Sequence, residues 1–157
     1  MKANNETMYY AFVETPAGVM KIEATDRTIR SLTFVEDMGA SHPNVLCEKA
    51  AAALHDYFSG KGRSFDLPLE KAASPFAEKV YEATKNIPFG EVLSYGEIAR
   101  AVGSPGAVRA VGRALAKNPH MIVVPCHRVV YEDGTVGHYA GGDEKKRTLL
   151  AFERGVS

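Results

Sequence analysis

The chain has 157 residues, 45% of them hydrophobic and 24% charged, with 19 basic against 19 acidic side chains and no formal net charge. Such a composition builds one globular domain or two small ones, and excludes a disordered chain, a collagen-like chain and a large multidomain machine. With no global field to draw nucleic acid or an anionic membrane, any polyanionic partner must be held by a local patch.

Residues 1–6 carry no apolar signal-peptide core, and the longest apolar runs, such as 121–125, fall far short of the roughly 18 residues a membrane span needs. A cytoplasmic protein, nuclear in a eukaryote, with no membrane partner is therefore expected. Period-two alternation predicts strands over 8–13 and 19–24 around a Pro16-Ala17-Gly18 turn, with a third over 29–34. Asn44 then caps a helix whose inner face is predicted as Leu46, Ala50, Leu54 and Phe58, with Gly60 as its stop. Cys47 falls in this alanine-rich helix, where a small buried side chain is the simplest reading. Residues 61–73 mix Gly, Ser, Pro and charge. They read as a linker or a last extended segment, and divide the chain into domains 1–73 and 74–157.

Ser74-Pro75 opens the second part with a capping hydroxyl and a first-turn proline. The inner stripe of that helix is Phe76, Val80, Tyr81 and Thr84, and Pro88-Phe89-Gly90 breaks it. Ser94-Tyr95-Gly96-Glu97 is a capping box for a short helix ending at Gly103, and another helix runs over 107–117 to Asn118-Pro119. Two short helices joined by a tight glycine-containing turn form a helix-turn-helix signature. A β-like stretch over 121–124, a turn over 132–134 and a last helix over 143–153 complete the chain. The class is α+β: a small antiparallel sheet with a helix, then a mainly helical, winged-helix-like domain.

Between Ile98 and Tyr131 there is no Asp or Glu, while Arg100, Arg109, Arg113, Lys117 and Arg128 all fall inside that window. Arg109, Arg113 and Lys117 are spaced by four and form one cationic stripe on the second helix of the pair. Val108, Val111 and Leu115 are predicted to face the core. Ala107, Ala110, Gly112 and Ala114 lie between and are small, which lets the helix backbone approach a narrow surface. Gly112 costs up to about 1 kcal/mol against Ala in a helix, so close approach is a fair reason for it. By itself the stripe describes a solvated basic face; the acid-free window and the helix-turn-helix turn it toward DNA. Lacking the long polar side chains that read base edges, the helix suits backbone contact or minor-groove insertion with little sequence preference.

Pro125-Cys126-His127-Arg128 sets a thiol beside an imidazole and a guanidinium between apolar stretches. On a regular strand Cys126 and His127 would point to opposite faces, so cooperation requires a turn, which Pro125 favours. A Cys–His pair near cations is an environment that favours a thiolate. Ionisation alone has limited reach. An ordinary Cys with a pKa of about 8.5 gains at most roughly 30-fold on full ionisation, whereas in-line positioning can supply on the order of 7 kcal/mol.

Pro125-Cys126-His127-Arg128-Val129 is similar to the active-site signature of the O6-alkylguanine-DNA alkyltransferases, the methylated-DNA–protein-cysteine methyltransferases. The resemblance spans roughly 74–155. Ser94-Tyr95-Gly96 resembles the family's helix-turn-helix start, and residues 107–112 (Ala-Val-Arg-Ala-Val-Gly) its recognition helix. Asn118-Pro119 resembles the hinge, residues 137–142 (Gly-His-Tyr-Ala-Gly-Gly) the binding loop, and residues 149–153 the final helix. The N-terminal part matches only in length and in its strand-then-helix pattern.

The resemblance implies a single-use transferase that moves an alkyl group from O6-alkylguanine, and from O4-alkylthymine, in double-stranded DNA onto Cys126. The damaged base would be flipped into a pocket. In that scheme Glu153 polarises His127, which deprotonates Cys126 through a water, and Asn118 braces the turn. Tyr95 contacts DNA and donates to the base, and Arg109 fills the vacated stack. Val129, Tyr139, Ala140 and Gly141 line the pocket, with the Ala140 N–H toward O6 and carbonyls near Cys126 and Val129 on the amino edge. Ala140 stands where some relatives carry a hydroxyl residue, a change that a backbone donor survives. The DNA contacts implied are Ala107, Arg109, Ala110, Gly112, Arg113, Lys117 and Arg128. His138 reads as a loop residue, no cofactor or metal is expected, and a monomer suffices. Two other classes fit parts of the pattern: a helix-turn-helix regulator or non-catalytic lesion sensor, and a Cys–His–Glu hydrolase, which would also need an oxyanion hole.

Overall fold

The computed structural model describes residues 7–155, so the hexapeptide read for a signal core lies outside the described residues. The chain divides into two compact units, Met1–Glu70 and Lys71–Ser157. In the first, β1 (Tyr9–Thr15), β2 (Gly18–Ala24) and β3 (Ile29–Val35) form an antiparallel sheet in sequence order. The β1–β2 register runs from Tyr9 opposite Ala24 to Thr15 opposite Gly18. The Thr15 hydroxyl closes the turn, donating to the Gly18 carbonyl at 2.6 Å while accepting from the Ala17 N–H at 3.1 Å. Gly18 takes φ 136°, a value that L side chains rarely adopt. One face of the sheet buries Ala11, Met20, Ile22, Ala24 and Leu32 against α1 (Val45–Phe58).

Asn44 caps α1 as predicted, its Oδ1 accepting the Cys47 N–H at 2.9 Å. The buried stripe is Cys47, Ala50, Leu54 and Tyr57, however, and Leu46 and Phe58 are only half-buried. A strict four-residue repeat drifts about 40° per step around a 3.6-residue helix, so alternating steps of three and four keep one face.

In the second unit Ser74 caps α2 (Pro75–Lys85) by accepting the Ala77 N–H at 3.1 Å. Both bonds of the Ser94–Glu97 capping box are present at the start of α3 (Tyr95–Ala101). After a turn through Gly103, α4 (Val108–Ala116) follows, and α2, α3 and α4 pack on one another. Val111 and Leu115 are buried, but Val108 is 41% exposed: it sits in the first turn of α4, where the chain enters from solvent. A two-residue parallel pairing of β4 (Leu93–Ser94) with β5 (Val129–Val130) ties the start of α3 to the segment just after Cys126. The last element, α5 (Asp143–Gly155), buries Lys146, Leu149, Leu150 and Glu153 on one stripe. Among the described residues no helix is long and apolar enough to cross a membrane.

The stretch 121–124 is not a strand. Its four residues are buried in a reversal closed by a Met121–Val124 bridge and by the Val124 N–H donating to the His120 carbonyl at 2.9 Å. Ile122 has φ 73°, costly for a β-branched residue by about 1–3 kcal/mol, and the surrounding bonds hold it there. A run of β-branched residues reads as strand locally; bonds within residues 118–124, including the Asn118 amide donating to the Val124 carbonyl, overrode that preference.

Candidate active site

Cys126, His127 and Arg128 form one 3-10 turn opened by Pro125, which is how adjacent side chains come to serve one site. All three are buried. His127 Nε2 lies 2.7 Å from Glu153 Oε2 on α5. The same carboxylate accepts both Arg128 Nε at 2.8 Å and Arg128 Nη2 at 2.9 Å, as well as the Gly90 N–H at 3.2 Å. An ionised carboxylate only accepts, so His127 donates from Nε2 and presents Nδ1 as its basic nitrogen. That Nδ1 is buried and has no hydrogen-bond partner among the described residues. Burial holds the imidazole below its ordinary pKa despite the opposing pull of Glu153, so it is neutral at pH 7.

Arg128 corrects an expectation. The resemblance implies a DNA contact at this position, yet Arg128 is buried, paired with Glu153 and donating from Nη1 to the Ile87 carbonyl at 2.7 Å. Its guanidinium also lies over the Phe89 ring at 5.7 Å. Its fork orients the carboxylate that orients the imidazole. Pro88-Phe89-Gly90, which reads as a helix breaker, is thus part of the site: Gly90, at φ 84°, aims its N–H at Glu153.

The sulfur has its own supports. Asn118 Nδ2 donates to Cys126 Sγ at 3.2 Å and to the Val124 carbonyl at 2.9 Å, while its Oδ1 accepts the His120 N–H at 2.9 Å. Even so, burial pushes the Cys126 thiol up to about 11, against the lowering by Asn118 and the Lys146 charge. At rest burial therefore outweighs the thiolate-favouring contributions of Asn118 and Lys146, and the guanidinium of Arg128 is engaged by Glu153. A proton must leave Sγ during the reaction.

Lys146 is a buried residue beside the site that the sequence reading did not single out. It is fully buried, and its Nζ donates to the Val129 carbonyl at 2.6 Å and the His138 carbonyl at 2.9 Å. The ammonium lies 5.6 Å from the centre of the Tyr95 ring. Burial lowers its pKa to about 8, while Cys126 and Asp143 pull it upward. A signal for it existed: Lys146, Leu149, Leu150 and Glu153 follow helical spacing on one stripe.

A cavity of about 120 Å³ opens onto the sulfur, lined by Tyr95, Gly112, Leu115, Ala116, Cys126, His138, Tyr139 and Ala140. Tyr139 also packs edge-on against His127 at 6.3 Å. Val129 and Gly141, expected at the pocket, are not in its lining, and the Val129 carbonyl is already engaged by Lys146. His138, read as a plain loop residue, is in it. The Tyr95 hydroxyl is 3.5 Å from the His138 carbonyl, and its pKa is pushed up to about 12, chiefly by burial, so it remains a proton-bearing donor. On α4, Arg109, Arg113 and Lys117 are exposed along one side, with Ala107, Ala110 and Gly112 half-buried beside them. A Cβ placed on Gly112 would meet nothing within 4 Å, so the protein's own packing does not demand glycine there. Among the described residues no group of three or more His, Cys, Asp or Glu side chains is arranged to hold a metal ion.

Residues 75–155 match the family described as the DNA binding domain of 6-O-methylguanine DNA methyltransferase, and residues 8–71 match its ribonuclease-like domain. The chain is 40% identical to the methylated-DNA–protein-cysteine methyltransferase of Mycolicibacterium paratuberculosis, covering 92% of each chain. It is 42% identical to the constitutive one of Bacillus subtilis, covering 93% of this chain and 95% of that protein. The crystal structure of Mycobacterium tuberculosis OGT in complex with DNA superposes with a TM-score of 0.84 at 36% identity, covering 94% of both chains.

Proposed function

The chain belongs to the methylated-DNA–protein-cysteine methyltransferase family, and from that membership we infer that it repairs DNA by direct reversal, moving an alkyl group from O6-alkylguanine onto its own Cys126. O4-alkylthymine is the second substrate. The observation that carries the assignment to Cys126 is a sulfur held by Asn118 at the wall of an open cavity, next in the chain to a neutral imidazole paired with the Glu153 carboxylate.

In the reaction Sγ attacks the alkyl carbon in line with its bond to O6. The S–C bond forms as the C–O bond breaks, and the electron pair passes to the guanine ring. The thiol proton leaves through a water to His127 Nδ1, whose tautomer Glu153 holds, as in other nucleophile–base–orienter sets. Tyr95 donates to the base as charge develops, which its raised pKa permits only through partial transfer or a strong hydrogen bond. With a resting thiol pKa of about 11, the proton leaves Sγ as the alkyl group is transferred, so no free thiolate has to accumulate beforehand. The thioether product leaves no group to regenerate the thiol, so each molecule acts once.

The exposed stripe Arg109, Arg113 and Lys117 holds the phosphates, while the small residues Ala107, Ala110 and Gly112 let α4 approach a minor groove with little sequence preference. Arg109, nearest the start of α4, fills the stack left by the flipped base, offsetting part of a cost of a few kcal/mol. The protein works as a monomer in the cytoplasm. Intact-mass and peptide mass spectrometry after mixing with duplex DNA carrying O6-methylguanine tests the assignment. One methyl on the Cys126 peptide is expected, persisting in Cys47→Ser and absent in Cys126→Ser. Tight binding with no mass change would leave a helix-turn-helix binding module instead.

A further inference from the structure

α4 must present its backbone to DNA on one side and a pocket wall on the other, since Gly112, Leu115 and Ala116 line the cavity at Cys126. At its N-terminus Ala107 makes no side-chain cap bond and donates its N–H to the Ser104 carbonyl at 2.8 Å. Its last turn is held differently. Tyr81, buried on α2, donates from its hydroxyl to the Ala114 carbonyl at 2.6 Å. That carbonyl also accepts the Lys117 N–H at 3.1 Å, so it is not an orphan that needed a side chain to satisfy it. In the next step of the chain the Asn118 N–H donates to the Leu115 carbonyl at 3.1 Å, and the Asn118 amide donates to Cys126 Sγ at 3.2 Å.

We propose that Tyr81 is a positioning residue for alkyl transfer, its hydroxyl fixing the last turn of α4 and, through that turn, the Asn118 amide against the Cys126 sulfur. Phenylalanine would fill the same space without the need to satisfy a buried hydroxyl, so the hydroxyl has a task beyond packing. The two side chains are also electrostatically in reach of each other, since negative charge on Cys126 raises the Tyr81 pKa after burial has done so. Tyr81 touches neither DNA nor base in this scheme. It acts through α4 and Asn118, and the role rests on the function inferred above.

The test compares Tyr81→Phe with wild type in two assays. In single turnover at saturating O6-methylguanine duplex, the rate constant should fall roughly tenfold, the scale of a small misplacement of the nucleophile. Affinity for undamaged duplex should stay within about twofold, because the cationic stripe is untouched. In the second assay, iodoacetamide alkylation of Cys126 followed by peptide mass spectrometry across pH should shift to higher pH in the variant, as the Asn118 contact weakens. Unchanged rate and unchanged alkylation profile would overturn the proposal. So would a loss of rate matched by equal losses of DNA affinity and helicity, which would mark Tyr81 as a fold residue only. If wild type itself takes up no methyl, the repair assignment fails separately, and the alkylation profiles still decide the role of Tyr81.

Discussion

In the sheet-and-helix unit the fully buried large side chains are Met20, Ile22, Ile29, Leu32, Leu54 and Tyr57, with Thr25 as the buried polar residue among those described. In the second unit Lys146 and His127 are just as deeply buried, with Arg128, Glu153, Asn118 and His120 beside them. Each buried ion costs several kcal/mol in lost hydration, and apolar replacements of such pairs are often neutral or stabilising. The charges in the second unit are therefore poorly explained by stability. They hold an imidazole, a sulfur and a binding loop in one geometry. The two cysteines repeat the contrast. Burial raises the pKa of both, but Cys47 faces a sheet core, whereas Cys126 has an amide on its sulfur and a cavity in front of it.

The largest expected effect comes from setting one core against the other. Leu54→Ala should lose about 2–5 kcal/mol in urea unfolding, with unchanged transfer by the folded fraction. Glu153→Gln should cost about 3–5 kcal/mol, because Arg128 is left buried without its anion, and should also slow transfer by at least roughly 10²-fold. A slow Leu54→Ala variant would break the contrast and show that the two units are coupled.

A smaller effect lies in the pH dependence of stability. Lys146, lowered from 10.5 to about 8, has released a proton in the folded chain that the unfolded chain still holds, so its contribution to stability rises with pH between those values. Cys126, raised from 9.0 to about 11, keeps a proton that the unfolded chain has lost, so its contribution falls across that range. Urea midpoints should accordingly rise between about pH 8 and 9 and then flatten. Lys146→Met should remove the rise and keep the fall, and Cys126→Ser should do the reverse. Identical profiles for wild type and Lys146→Met would mean that the buried ammonium does not titrate.

The smallest effect sharpens the view that α4 is shaped for a surface outside the protein. Gly112→Ala should stabilise the free protein by about 0.5–1 kcal/mol, because the added methyl meets open space and glycine is a poor helix former. The same variant should react more slowly with duplex DNA, measured in single turnover. A stabilised variant with full duplex activity would remove the reason given for glycine at that position.

Local chemistry was legible wherever the deciding bond spans a few residues. The caps at Asn44, Ser74 and Ser94 and the turn at Pro125 follow from side chains meeting backbone groups three positions away, or from a ring that restricts its own φ. The motif residues Cys126, His127 and Glu153 could be named, and the His127–Glu153 pairing follows from the resemblance, but the bonds of Arg128 and Gly90 to Glu153 could not be foreseen. Arg128 looked like a surface cation because a guanidinium carries no mark of a carboxylate 25 positions away. Lys146 was not singled out, because an ammonium near a helix start carries no mark of burial, and residues 121–124 read as a strand.

The three N-terminal strands, the five α-helices and the two-part division of the chain were thus set by residue types and short-range spacing, and the nucleophile was named through the resemblance carried by Pro125-Cys126-His127-Arg128-Val129. Which charges are buried, which nitrogen of His127 is basic, and what stands around the sulfur were decided when α5 and the 88–90 turn closed on Cys126–Arg128. Burial converts an ordinary ammonium, imidazole or thiol into a group with altered proton affinity, and burial is a property of the assembled fold, to which no single stretch of chain is sufficient.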